Sequence, residues 1–112
     1  MKIIETDNAP KAIGTYSQAV KVNGFLFISG QIPLDPSTME LVEGIENQIN
    51  QVFENINQIL KADAMDFSNV VKLTVLLDDL SNFEKVNEIM ANIFVKPYPA
   101  RAAYEVSKLP KG

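Results

Sequence analysis

The chain has 112 residues, 46% of them hydrophobic, which is the size and composition of one ordinary globular domain with no room for a second. A net charge of −4 opposes binding to phosphate backbones, and the lysines are scattered rather than clustered, so nucleic acid is disfavoured as a partner. The absence of cysteine, histidine and tryptophan excludes disulfides, thiol nucleophiles, Cys/His metal sites and histidine acid–base chemistry.

The amino terminus, Met1-Lys2-Ile3-Ile4-Glu5, reaches Asp7 without an uninterrupted apolar run, and no later stretch is long enough to span a bilayer. A cytoplasmic protein without a signal peptide is the expectation. Tyr16 to Val22 and Phe25 to Ser29 are rich in aromatic and β-branched residues, and Asn23-Gly24 between them is the two-residue signal of a β-hairpin. Beyond Ser29-Gly30-Gln31-Ile32-Pro33 and a polar stretch with Asp35-Pro36-Ser37, apolar residues recur as Ile45, Ile49, Val52, Phe53, Ile56, Ile59 and Leu60. That spacing is one face of a helix.

Val70 to Leu77 reads as a strand in which Val71, Leu73, Val75 and Leu77 make one apolar face, while Lys72 and Thr74 interrupt the other. Ser81-Asn82-Phe83-Glu84 has the form of a capping box, and Phe83, Val86, Met90, Ile93 and Phe94 follow at helical spacing. Pro97 and Pro99 end this second helix, and Ala100 to Val106 reads as the last strand. The order hairpin, helix, strand, helix, strand predicts an α+β fold: a mixed β-sheet with both helices on one face. Its other face is too polar for a core and too apolar for free exposure, as a subunit interface would be.

Arg101 is the single arginine of the chain; all nine other cationic side chains are lysines. Strand alternation puts Arg101, Ala103 and Glu105 on one face, with Ala100, Ala102 and Tyr104 on the other. Small neighbours leave room around the guanidinium, whose planar fork of donors suits a carboxylate as a lysine ammonium does not. A small pocket for an organic acid is one reading. A solvated strand arginine paired loosely with a glutamate is the other.

Four groups of residues then carry a family resemblance. They are Ala12-Ile13-Gly14-Thr15-Tyr16-Ser17-Gln18-Ala19; Ile28-Ser29-Gly30-Gln31-Ile32-Pro33; Val71-Lys72-Leu73-Thr74-Val75 with Val86-Asn87; and Tyr98-Pro99-Ala100-Arg101-Ala102-Ala103 with Glu105-Val106 and Leu109-Pro110-Lys111. Together they span the chain in order and resemble the RidA proteins, also called the YjgF family. The resemblance implies a chorismate-mutase-like α+β fold, a single domain over residues 1–112, and a homotrimer with a pocket at each subunit interface. It also implies hydrolysis of reactive 2-imino acids and their enamine tautomers, such as 2-aminoacrylate or 2-iminopropanoate, to 2-oxo acids and ammonia, with no cofactor and no metal.

By position, Arg101 would grip the substrate carboxylate, helped by Ala102 and Ala103 beside it and by backbone amides near Gly30 and Ala103. Tyr16 would line the pocket and hydrogen-bond the substrate or a water; Ser29 and Asn87 would form its wall and Pro110 its rim. Two departures stand out: the segment Phe94 to Pro99 is shorter than the usual loop before the arginine, and Pro110-Lys111-Gly112 is a turn where relatives continue into a final strand bearing a glutamate that activates water. The expectation is a domain without that strand, in which binding through Arg101 outlasts catalysis. A non-catalytic binding protein for small 2-oxo acids is therefore the alternative. An endoribonuclease or translation inhibitor, also attributed to this family, is disfavoured by the acidic charge.

Overall fold

A computed structural model describes residues 1–111. They form two compact units, Met1–Asp66 and the residues from Phe67 onward. In the first unit β1 (Lys2–Ile4), β2 (Ala19–Val22) and β3 (Phe25–Ile28) make an antiparallel meander. Asn23 and Gly24 take φ of 51° and 81°, the left-handed pair that a tight hairpin needs to match the twist of its strands. The register aligns Ile4 with Ala19 and Ala19 with Ile28, so these three share a face. That face packs with Leu26, Ala9 and Ile59 into a hydrophobic cluster.

Ile59 belongs to α1 (Ile45–Ala62), whose buried residues Ile49, Phe53, Ile59 and Leu60 fall on one stripe of the helix. Lys21, on the same sheet face, is tied to Asp63 just past the helix, with Nζ 3.0 Å from Oδ2. The opposite face of the meander is apolar and uncovered within the unit: Ile3, Val22, Phe25 and Phe27 are exposed, the two phenylalanines by 62% and 60%.

The second unit holds β4 (Lys72–Leu77) and β5 (Ala100–Glu105), paired in parallel with Leu73 opposite Arg101 and Leu77 opposite Glu105. Parallel neighbours need a crossover, and α2 (Phe83–Ile93) supplies it. Leu77, Val86, Met90 and Phe94 are buried, and Phe67 meets Phe94 edge to face at 5.3 Å between ring centroids. No helix among the described residues is long and apolar enough to cross a membrane.

Several expectations are corrected. Where one mixed sheet was expected, the ladders make two, one antiparallel and one parallel. Alternation marks a segment as a strand without saying which edge it joins. β1 is too short for its period to be seen, and the hairpin arm begins at Ala19, so Tyr16 precedes it. The capping box does not form either. A 3₁₀ turn, Leu80–Asn82, precedes α2, and its cap is Asp79, whose carboxylate accepts the Ser81 N–H at 2.9 Å. The Ser81 hydroxyl and amide hold that carboxyl below its ordinary range.

A polar residue missing from the sequence reading lies at the centre of the first unit. Asn55 of α1 is 0% exposed; its amide donates to the carbonyls of Ile32 (3.3 Å) and Leu34 (3.1 Å) and accepts from Gln51 Nε2 (2.8 Å). It thereby holds an irregular segment against the helix. Replacing it by alanine removes both donors and leaves a void, so Asn55→Ala should cost roughly 2–4 kcal/mol. Urea unfolding measures this; a midpoint unchanged from the unmodified chain would show that the two carbonyls find other partners.

Candidate functional site

Arg101 is the second residue of β5, and its register with Leu73 turns its side chain to the face that carries α2. Three α2 side chains receive it. Its Cζ stands 4.7 Å from the centroid of the Phe83 ring. Nη1 donates to Asn87 Oδ1, and to Met90 Sδ at 3.6 Å. Positions 83, 87 and 90 succeed one another along a single helix stripe, which is why one guanidinium can touch all three. A π face beneath the cation contributes on the order of 0.5–1 kcal/mol at an exposed site. More important for function, a planar cation with one nitrogen engaged and one face covered has few orientations left.

A guanidinium has five N–H donors. The two polar contacts within the cradle both use Nη1, so the edge formed by Nε and Nη2 can meet the two oxygens of a carboxylate side by side. Ala103 shares the face of Arg101 and is half-buried, whereas Ala102 lies on the reverse face. Glu105, the nearest carboxylate along the strand, is already engaged: its Oε1 accepts the Leu80 N–H at 2.9 Å. Pro110 stands exposed in a turn beyond β5.

The first unit holds the other expected residues. Tyr16 is 53% exposed, and its phenolic oxygen accepts from the Ile13 N–H at 3.4 Å. Gly14, at φ +123°, makes this tight return possible, since that backbone conformation is strained for any residue with a Cβ. Because the oxygen is the acceptor there, the phenolic proton remains available to donate. Ser29 gives its own proton to the Ser17 carbonyl at 2.6 Å, and its N–H bonds the Gln18 carbonyl at 3.1 Å. Ser29 thus holds the chain beside Tyr16 rather than presenting a free hydroxyl. Gly30 has no left-handed φ, and a Cβ built on it would meet nothing within 4 Å. Open space beside its peptide, and not a turn requirement, is its distinguishing feature.

Within the second unit, then, Arg101 and Asn87 come together, and within the first the strand entry of Tyr16 meets Ser29. Phe83 and Met90 escaped sequence reading as site residues because helical spacing marks them only as apolar. Gln18 escaped too: it is 4% exposed and its side chain bonds only main chain. A cleft of about 520 Å³ in the first unit is lined by Asp7, Asp35, Glu54, Gln51 and Gln58, among others, and contains none of the expected residues. The Ser37 hydroxyl and amide keep the Asp35 carboxyl below its ordinary range. That charge, with Asp7 and Glu54, makes the cleft unsuited to an organic acid.

Residues 6–112 match the Endoribonuclease L-PSP family. A human 2-iminobutanoate/2-iminopropanoate deaminase is 52% identical over 112 residues, a span of 99% of this chain and 82% of that protein. RidA from the Antarctic bacterium Psychrobacter sp. has a crystal structure similar to this one with a TM-score of 0.97 at 53% identity, covering 100% of this chain and 91% of that one. E. coli TdcF, crystallised with bound serine, has a TM-score of 0.93 at 38% identity, covering 99% and 90%. With four ordered motifs, a family match over residues 6–112 and an α+β fold shared with these structures, the chain belongs to the RidA/YjgF family, the family described as endoribonuclease L-PSP.

Proposed function

We propose that the protein hydrolyses small 2-imino acids, and the enamines in equilibrium with them, to 2-oxo acids and ammonia. The observation that carries this reading is the Arg101 guanidinium, oriented by Phe83, Asn87 and Met90 with its Nε–Nη2 edge open. Support also comes from the relative named as an imine deaminase and from the serine, a small α-amino acid, bound to TdcF.

The chemistry asks little of the protein. Water adds to the electrophilic imine carbon, the carbinolamine loses its C–N bond, and ammonia leaves as the 2-oxo acid forms. Holding the carboxylate in a bidentate grip fixes where the imine carbon stands, and orientation of this kind supplies much of the acceleration available to such a reaction. Tyr16, with its proton free to donate, hydrogen-bonds the substrate nitrogen or the incoming water. Ala103, small and on the same face of β5 as Arg101, leaves room beside the carboxylate.

The same function calls for an assembled protein, and we propose a homotrimer with sites at its subunit interfaces. The uncovered apolar face with Ile3, Val22, Phe25 and Phe27 supports association, since contiguous apolar surface of this kind marks interaction sites. On the outer face of the β4–β5 pair, Leu76 and Tyr104 are exposed beside Lys72 and Thr74, the mixture expected from the sequence. One observation favours the second reading, a binding protein without catalysis: Glu105, the carboxylate nearest Arg101 along β5, is directed through Oε1 to the Leu80 amide, while Arg101 meets the neutral side chains of Phe83, Asn87 and Met90. Loss of a general base typically removes roughly 10²- to 10⁴-fold in rate while leaving carboxylate binding intact.

Ammonia release from 2-imino acids generated in place by an amino acid oxidase tests the proposal. Arg101→Ala and Arg101→Lys should each lower kcat/KM by roughly 30-fold or more, equivalent to about 2 kcal/mol of lost charge-assisted hydrogen bonding. Full activity in the lysine variant would reject the bidentate grip. An inactive unmodified chain that binds 2-oxobutyrate through Arg101 would select the binding protein instead. RNA cleavage is expected to be absent; cleavage abolished by Arg101→Ala would favour the ribonuclease reading.

Sedimentation at micromolar concentration should report a trimer, and Phe25→Lys with Phe27→Asp should convert it to monomer. A monomeric unmodified chain would overturn the interfacial site.

A further inference from the structure

The loop that carries Tyr16 is closed at both ends by side chains that hold main chain. At its start, Gln18 spends its buried amide entirely on backbone: Oε1 accepts the Thr6 N–H at 2.8 Å, and Nε2 donates to the carbonyls of Pro10 (2.9 Å), Thr6 (3.2 Å) and Ala9 (3.5 Å). At its end, Ser29 holds the Ser17 carbonyl through Oγ and the Gln18 carbonyl through its N–H. The β1–β2 register, which steps from Lys2 opposite Lys21 to Ile4 opposite Ala19, would continue to Thr6 opposite Ser17. The Gln18 side chain takes Thr6 instead, so the main chain between Pro10 and Gln18 leaves the ladder as a loop. Within that loop, Gly14 turns the chain and the Ile13 N–H meets the Tyr16 oxygen.

We infer that Gln18 is a positioning residue for Tyr16: its amide closes the Pro10–Gln18 loop and so fixes where the phenol stands in the deamination proposed above. A loop tied at both ends has far fewer conformations than one tied at a single end. Displacing a reacting group by about 1 Å can cost on the order of 10²-fold in rate. Gln18 touches no reacting atom in this scheme. Its effect passes through the loop.

The test combines turnover with fluorine NMR of the full chain labelled with 3-fluorotyrosine, whose three resonances belong to Tyr16, Tyr98 and Tyr104. Gln18→Met keeps the side-chain length and removes every hydrogen bond. It should shift or broaden the Tyr16 resonance alone, identified by its loss in Tyr16→Phe, and lower kcat roughly tenfold or more with KM changed less than about twofold. In a Tyr16→Phe background the same substitution should cost little more, because the two residues act in series. Gln18→Asn, which keeps a neutral amide on a shorter arm, should fall between, and it serves in place of Gln18→Met if that variant does not fold. An unmoved Tyr16 resonance, or a kcat loss equally large in both backgrounds, would overturn the inference. If the unmodified chain shows no deaminase turnover, the proposed function fails while the Tyr16 resonance still decides the role of Gln18.

Discussion

A carbonyl buried outside a strand or helix must find a donor, and in the first unit two side-chain amides meet that constraint. Gln18 serves the carbonyls of residues 6, 9 and 10, and Asn55 those of residues 32 and 34. Each unsatisfied group would cost roughly 1–3 kcal/mol, a large part of the net stability of a small domain. The irregular segments on either side of the hairpin keep their places through these bonds. An amide suits the task because it carries donors and an acceptor on one neutral group, so it can be buried without the cost of a charge.

A different balance governs Arg101. Its cation is set in an exposed cradle of a ring, a thioether and an amide oxygen, none of which carries a negative charge. A carboxylate in that position would have neutralised the arginine and competed with any acid it might bind. Neutral partners orient the guanidinium and leave its charge unspent, which is the electrostatic condition for recognising an anionic ligand. Glu105, four residues on, is kept to another task by the Leu80 amide.

Much of this was legible in the residue pattern. The Asn23-Gly24 turn, the α1 stripe from Ile49 to Leu60 and the strands on either side of α2 follow from the φ tolerance of Asn and Gly and from the periods of helix and strand. Arg101 stood out because it is unique, and its strand face followed from alternation. The capping box failed because Asp79, two residues earlier, offers a carboxylate to a 3₁₀ turn that a helical template does not anticipate. Phe83 and Met90 stand in the sequence as ordinary apolar stripe, since periodicity reports that a side is apolar and not what rests against it.

The sequence by itself determined the two helices, the hairpin with its turn, the strands on either side of α2, the lone arginine and the motifs of the family, because each depends on local geometry or on residue identity. Only the tertiary structure decided that Asn87 meets Arg101 across 14 residues, that Gln18 meets Thr6 across 12 and that Asn55 meets Leu34 across 21. Contacts at such separations arise when the chain closes on itself, and a polar side chain in a sequence carries no mark of whether water or a buried backbone group will satisfy it.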